Sequence, residues 1–161
     1  RQLPEVLLVM VGGIKDERYS DACHRVVDGA GLADHVRFTG YLAQEDVYAW
    51  YQACDVLVLP SEREGLPRCA VEAQAFARPV VATRVVGTEE AVADGRTGFL
   101  VANDRVADML RHLLCLAGDA NLRETLGREG AAHVRRSFTI EKNVDAIHSL
   151  YQELCRHHRE R

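Results

Sequence analysis

The feature that most constrains this chain is an alternation of short, mostly apolar runs with longer stretches of helical periodicity. Residues 6–11 form an unbroken apolar run closed by Gly12-Gly13. Val36-Arg37-Phe38-Thr39 is closed by Gly40, and residues 56–59 are stopped by Pro60-Ser61. Residues 79–83 and 99–101 complete the series, the last following the turn Asp94-Gly95-Arg96-Thr97-Gly98. Helices fall between these runs. Asp16 can cap one whose apolar face is Tyr19, Ala22, Cys23, Val26, Val27 and Ala30, with Gly31 ending it. Val47, Trp50, Tyr51 and Cys54 line a second, residues 67–77 read as a third, and Thr88 can cap a fourth that begins Glu89-Glu90. Strands without apolar–polar alternation are buried on both faces, which calls for a parallel sheet with helices on either side. The expected fold is α/β and doubly wound, with about five strands.

The last third reads as helix throughout. Val106, Met109, Leu110, Leu113 and Leu114 make one apolar stripe; Ile140, Val144, Ile147, Tyr151 and Leu154 make another. Both are expected to pack on a sheet face. With 161 residues, no internal repeat and no low-complexity linker, the chain reads as one Rossmann-like domain. Its βα core is expected over residues 5–103 and its helical tail over residues 104–161.

Charge narrows the partners. Twenty basic against 24 acidic residues leave a net charge of −4, so no electrostatic grip on nucleic acid is expected. The basic residues near the end (Arg156, His157, His158, Arg159, Arg161) are diluted by Glu153 and Glu160 and read as a solvated helix end. The five cysteines are widely spaced without a Cys-x-x-Cys pair, a pattern of reduced, buried thiols. The seven histidines lack ligand spacing, so no metal site is expected. No apolar run is long enough to span a bilayer. The expected location is the cytoplasm, with peripheral membrane contact left to a further domain.

In an open α/β sheet, ligands sit beyond the carboxyl ends of the strands. There the segment Pro60-Ser61-Glu62-Arg63-Glu64-Gly65-Leu66-Pro67-Arg68-Cys69-Ala70-Val71-Glu72 stands out. Gly65 lets backbone approach a ligand, and Pro67 suits the first helical position. The helix then aims its free N–H groups at the loop, as phosphate binding requires. Glu64 precedes that mouth. Glu72 lies inside the helix, roughly 7–8 Å along an axis that rises about 1.5 Å per residue, and its side chain leans back towards the start. A carboxylate accepts two hydrogen bonds and suits a vicinal diol. The layout fits an anion flanked by polyols, as in a nucleotide sugar. Glu62 and Arg63 read as a solvated pair, and Cys69 as a structural thiol.

Glu64 and Glu72, with seven residues between them, resemble the paired-glutamate motif of the retaining glycosyltransferase family 4, which has the GT-B fold. The apolar run at 6–11, Val36-Arg37-Phe38-Thr39-Gly40, Asp55-Val56-Leu57-Val58-Leu59-Pro60-Ser61, Glu72-Ala73, Arg78-Pro79-Val80-Val81-Ala82-Thr83 and Asp94-Gly95-Arg96-Thr97-Gly98-Phe99-Leu100-Val101 follow that family's order over about residues 5–103. The resemblance implies the donor-binding half of a two-domain hexosyltransferase. Its donor would be a UDP- or GDP-sugar, and it would need no metal or other cofactor. Glu64 would be the catalytic-site residue at the sugar hydroxyls and Glu72 the holder of the ribose diol. Gly65, Leu66, Arg68 and Gly87 would line the donor. Gly12 would line the nucleotide or simply make a tight turn, and Tyr41 would lie by the base or be an ordinary core or surface aromatic.

Three positions depart from the family pattern. Pro67 replaces a common glycine and removes an amide donor, with Arg68 beside it either compensating or facing solvent. Val86 replaces the first of two glycines, leaving Gly87 alone. The family's diphosphate-binding arginine and lysine would lie before residue 1, together with the acceptor domain and a central strand. The isolated chain is therefore expected to be inactive in transfer and to carry unpaired strand edges. Rival readings are another GT-B enzyme, such as a sugar phosphorylase or nucleotide-sugar epimerase, and a non-catalytic nucleotide-sugar-binding module.

Overall fold

A computed structural model describes residues 6–14 and 16–159, with side chains described as far as Arg156. The basic side chains from His157 onward lie outside the described residues. The chain divides into two compact units, residues 1–50 and 51–161. The elements follow the expected order: β1 (Leu8–Val11), α1 (Glu17–Gly29), a 3-10 turn (Ala33–His35), β2 (Val36–Gly40), α2 (Gln44–Ala53), β3 (Leu57–Leu59), α3 (Arg68–Ala75), β4 (Val80–Thr83), α4 (Val86–Ala91), β5 (Gly98–Val101), α5 (Val106–Gly118), α6 (Ala120–Ser137) and α7 (Ile140–Arg159). Helix α2 runs across the boundary between the units.

In the first unit β1 and β2 pair in parallel, Leu8 opposite Val36 and Met10 opposite Phe38. The register slips after Met10, so Val11 faces Gly40. As its sequence position suggests, Asp16 caps α1, accepting from the N–H groups of Arg18 at 2.9 Å and Tyr19 at 3.2 Å. Gly31, at φ 63°, carries the chain out of the helix in a conformation that favours glycine. Burial departs from expectation. Leu8, Met10 and Val11 are exposed, as are Tyr19 and Val26 on the apolar face of α1. A two-stranded sheet offers too little face to bury a 13-residue helix, and among the described residues β1 pairs on one side only.

The second unit holds a parallel sheet in the order β3-β4-β5. Its middle strand, β4, is buried at every residue, which explains a run as uniformly apolar as Val80-Val81-Ala82. Val81, Leu116 and Leu126 centre the core, with Val56, Phe99, Met109, Leu113 and Leu122 packed around them. Helix α6 approaches the end of α3 very closely. A methyl group at Gly127 would stand 2.0 Å from the Ala77 carbonyl oxygen, and one at Gly130 would stand 3.1 Å from Gln74 Cγ. Gln74 is fully buried and ties α3 to α4, donating from Nε2 to the carbonyls of Ala70 and Ala91, each at 2.9 Å.

Three helical expectations are corrected here. The stripe of α7 does not cover a sheet face: Ile140, Val144, Ile147, Tyr151 and Leu154 are all exposed. On α5, Met109 and Leu113 reach the core whereas Val106 and Leu110 face solvent. Thr88 does not precede its helix. It lies in the first turn of α4, where its hydroxyl accepts from the Val85 N–H at 2.9 Å and lies 2.6 Å from the Thr83 carbonyl.

Ala77 follows α3 with φ 57°, the one non-glycine residue with positive φ among those described. An L-residue there costs about 1–2 kcal/mol. Ala77→Gly removes that cost and returns roughly 0.5–1 kcal/mol as chain entropy. We expect a net gain of up to about 1 kcal/mol, read as a melting temperature about 2–4 °C higher. An unchanged or lower Tm would show that the contact with α6 already compensates the strain.

Candidate functional site

The loop after β3 (residues 60–67) and the start of α3 gather most of the sequence candidates, all within the second unit. Pro67 is buried and serves as the N-cap of α3 at φ −71° and ψ 102°, one position before the first helical residue expected for it. It has no side chain with which to cap, and the N–H groups of Arg68 and Cys69 reach no carbonyl among the described residues. These are the orphan donors of a helix start, with the positive end of the dipole behind them.

Glu72 sits one turn into α3, half buried, and both of its oxygens have partners. The Tyr51 hydroxyl donates to Oε2 at 3.2 Å, and Arg68 Nη2 donates to Oε1 at 3.2 Å. The two donors differ in kind. Tyr51 is 7% exposed, whereas the Arg68 side chain is 81% exposed. A solvent-exposed i,i+4 pair of this sort is worth about 0.3–0.5 kcal/mol and exchanges easily. Glu64 lies in the loop, half buried, with no described side chain donating to it. Cys69 links the two acids. Burial raises its thiol pKa, with the charge of Glu64 next in importance and that of Glu72 adding to it. Both carboxylates therefore lie in electrostatic range of one sulfur, and that sulfur stays protonated, as a structural thiol should.

Gly65 and Leu66 are exposed beside Glu64, as are Glu62 and Arg63. Gly87, from the start of α4, is buried against this loop: a methyl group there would stand 1.7 Å from the Gly65 carbonyl oxygen. The Thr83 hydroxyl adds a second tie between the loops, donating to the Ser61 carbonyl. Glycine at 87 thus lets two loops touch. Its neighbour Val86 is 74% exposed.

Gly12 and Tyr41 belong to the first unit, beyond the carboxyl ends of its two strands. Gly12 donates its N–H to the Gly40 carbonyl at 3.1 Å, and a methyl on Gly13 would touch Tyr41 Cβ at 3.9 Å. Tyr41 is 88% exposed, so it is a surface aromatic and not a core one. Among the described residues no three His, Cys, Asp or Glu side chains gather as a metal site requires, and no helix is long and apolar enough to cross a membrane.

Sequence reasoning treated Tyr51 as one apolar position on α2. Its hydroxyl was the available signal, because a buried tyrosine needs a hydrogen-bond partner. Burial first, then the charge of Glu72, push its phenol well above the ordinary range, so it remains a neutral donor. Its backbone is also anchored: Arg78 Nε donates to the Tyr51 carbonyl at 3.0 Å and Nη2 to that of Gln52 at 2.6 Å.

Residues 1–119 match the family model of the glycosyl transferases group 1. A D-inositol 3-phosphate glycosyltransferase from Streptomyces bingchenggensis is 35% identical over 156 residues, which are 96% of this chain and 34% of that protein. The chain thus spans about a third of the length of this relative. Sucrose-phosphate synthase from Thermosynechococcus elongatus superposes with a TM-score of 0.85 at 29% identity, over 95% of this chain and 39% of that one. HepE from Anabaena, solved in complex with UDP-glucose, gives a TM-score of 0.85 at 25% identity, over 94% of this chain and 42% of its own. The fold is that of the C-terminal half of a GT-B glycosyltransferase. The chain belongs to the group 1 glycosyl transferases.

Proposed function

We propose that this chain is the donor-binding half of a retaining glycosyltransferase of family 4, and that it holds a UDP- or GDP-hexose for transfer to an acceptor bound by another domain. The observation that carries this reading is the pair of carboxylates at the start of α3, Glu64 in the loop before it and Glu72 one turn into it, both within electrostatic range of Cys69. An HepE structure that contains UDP-glucose supports the ligand class. In this reading the diphosphate lies at the start of α3. Glu72 accepts from the ribose hydroxyls and Glu64 from the hexose. Arg68 leaves Glu72 for the diphosphate, helping to make good the amide donor that Pro67 lacks. The N–H groups of Gly65 and Leu66 face the sugar and the phosphates.

Transfer through such a site places charge on the departing diphosphate, and fixed N–H donors and a guanidinium stabilise that charge without reorganising. No metal or other cofactor enters this scheme, and the reading places the work in the cytoplasm. Titration calorimetry with UDP, UDP-glucose, GDP and GDP-mannose tests it. One base should bind with at least tenfold preference, and binding should persist in excess chelator. Failure of all four to bind a protein carrying both halves of the fold would overturn the reading.

A further inference from the structure

We propose that Tyr51 is a positioning residue for Glu72, acting on nucleotide affinity solely through that carboxylate; this rests on the reading of Glu72 as the ribose-binding group. Three observations carry it. Tyr51 is almost fully buried at the last turn of α2, and its hydroxyl reaches across to Glu72 Oε2 at 3.2 Å. Its ring packs beside Phe76 with centroids 5.8 Å apart. Its carbonyl accepts from Arg78 Nε at 3.0 Å and from the Cys54 thiol at 3.7 Å. Backbone, ring and hydroxyl are thus all fixed, so the phenol holds one oxygen of Glu72 in a set direction.

The other oxygen is treated differently. Its partner, Arg68, lies in solvent and can leave at little cost. The carboxylate therefore has one permanent donor behind it and one replaceable donor in front. A ligand diol that displaces Arg68 finds Oε1 already aimed, and the side-chain ordering that binding would otherwise require has been met in advance. Without the hydroxyl, Oε2 would sit half buried with no donor, and Glu72 would swing towards Arg68 and water. Position 51 thus helps to set affinity for the nucleoside part of a ligand, although it lies outside the loop that contacts the ligand.

The test is a double-mutant cycle in a protein carrying both halves of the fold, with UDP and GDP as probes and the tighter one carried through. Tyr51→Phe keeps the ring against Phe76 and removes only the hydroxyl. It should raise the Kd for the free nucleoside diphosphate about five- to tenfold, less than the loss of a whole hydrogen bond to a charged group, because the carboxylate stays and only its aim is lost. On a Glu72→Ala background the same change should alter Kd by less than about twofold, because contacting residues couple and a lost partner cannot be lost again. In steady-state kinetics the donor KM should rise while kcat holds. Equal losses on both backgrounds would show that Tyr51 acts through packing and overturn the proposal. If Glu72→Ala weakens the nucleotide but Tyr51→Phe does not, the proposal fails and the nucleotide reading stands. If Glu72→Ala leaves nucleotide affinity unchanged, both fall.

Discussion

Glu72→Ala should weaken free nucleoside diphosphate and intact donor by the same factor, tenfold or more, whereas Glu64→Ala should leave diphosphate affinity nearly unchanged. The asymmetry follows from where the two acids sit relative to the start of α3. Glu72 is inside the helix, supported by Tyr51 and paired with Arg68; Glu64 is in the loop before it, with no described donor. A diphosphate at the helix start separates what each can reach. Hydrogen bonds to a charged partner contribute about 1.5–3 kcal/mol each, so one lost diol contact corresponds to at least a tenfold change. For Glu64→Ala the loss should appear in donor affinity, turnover or both. Turnover should suffer most if the contact tightens as the sugar flattens towards the transition state. Calorimetry with nucleotide and with donor, alongside kcat and KM, reads all four quantities. Equal loss of free-nucleotide affinity in the two variants would show that the division of labour is wrong while leaving the family membership intact.

Elements were legible in the sequence where local pattern alone decides them. Val80-Val81-Ala82 needs no context to be recognised as a buried strand, and Asp16 caps α1 because its side chain reaches its own helix. Burial was legible in the middle strand β4, but not in α7, β1 or α1. The stripe on α7 and the faces of β1 and α1 have the periodicity of buried elements yet are exposed. Periodicity reports that a face is apolar, not that something covers it. The place of Glu72 one turn into α3 could be read because the helix itself fixes it. Its supports could not, because Tyr51 comes from another helix and meets Glu72 only in the folded unit. Gln74 is a similar case: an ordinary polar helix residue in sequence, it is fully buried and holds α4 in place.

Gly87→Ala should damage both stability and turnover, because the added methyl has no room and the group in its way is backbone. It would stand 1.7 Å from the Gly65 carbonyl oxygen, 2.4 Å from that carbonyl carbon and 2.9 Å from the Glu64 carbonyl oxygen. One of the two loops must move. Helix α4 is held by Gln74 at the Ala91 carbonyl and by Thr88 at Thr83 and Val85. The loop at Glu64 and Gly65 is exposed at Gly65 and Leu66, and it is the side that should yield. Overpacking of this kind costs about 1–3 kcal/mol, offset by roughly 1 kcal/mol because alanine favours helix over glycine. The net change in Tm is therefore moderate. On the proposed reading of Glu64, its displacement is the larger effect, since a shift of about 1 Å at a reacting centre can cost on the order of 100-fold in rate. Val86→Ala provides the control: that side chain is 74% exposed, and its loss should change stability by less than about 0.5 kcal/mol. Turnover at the level of the unaltered protein in Gly87→Ala would mean that the loop accommodates the methyl without moving Glu64. The close contact would then be a matter of packing, with no hold on the chemistry.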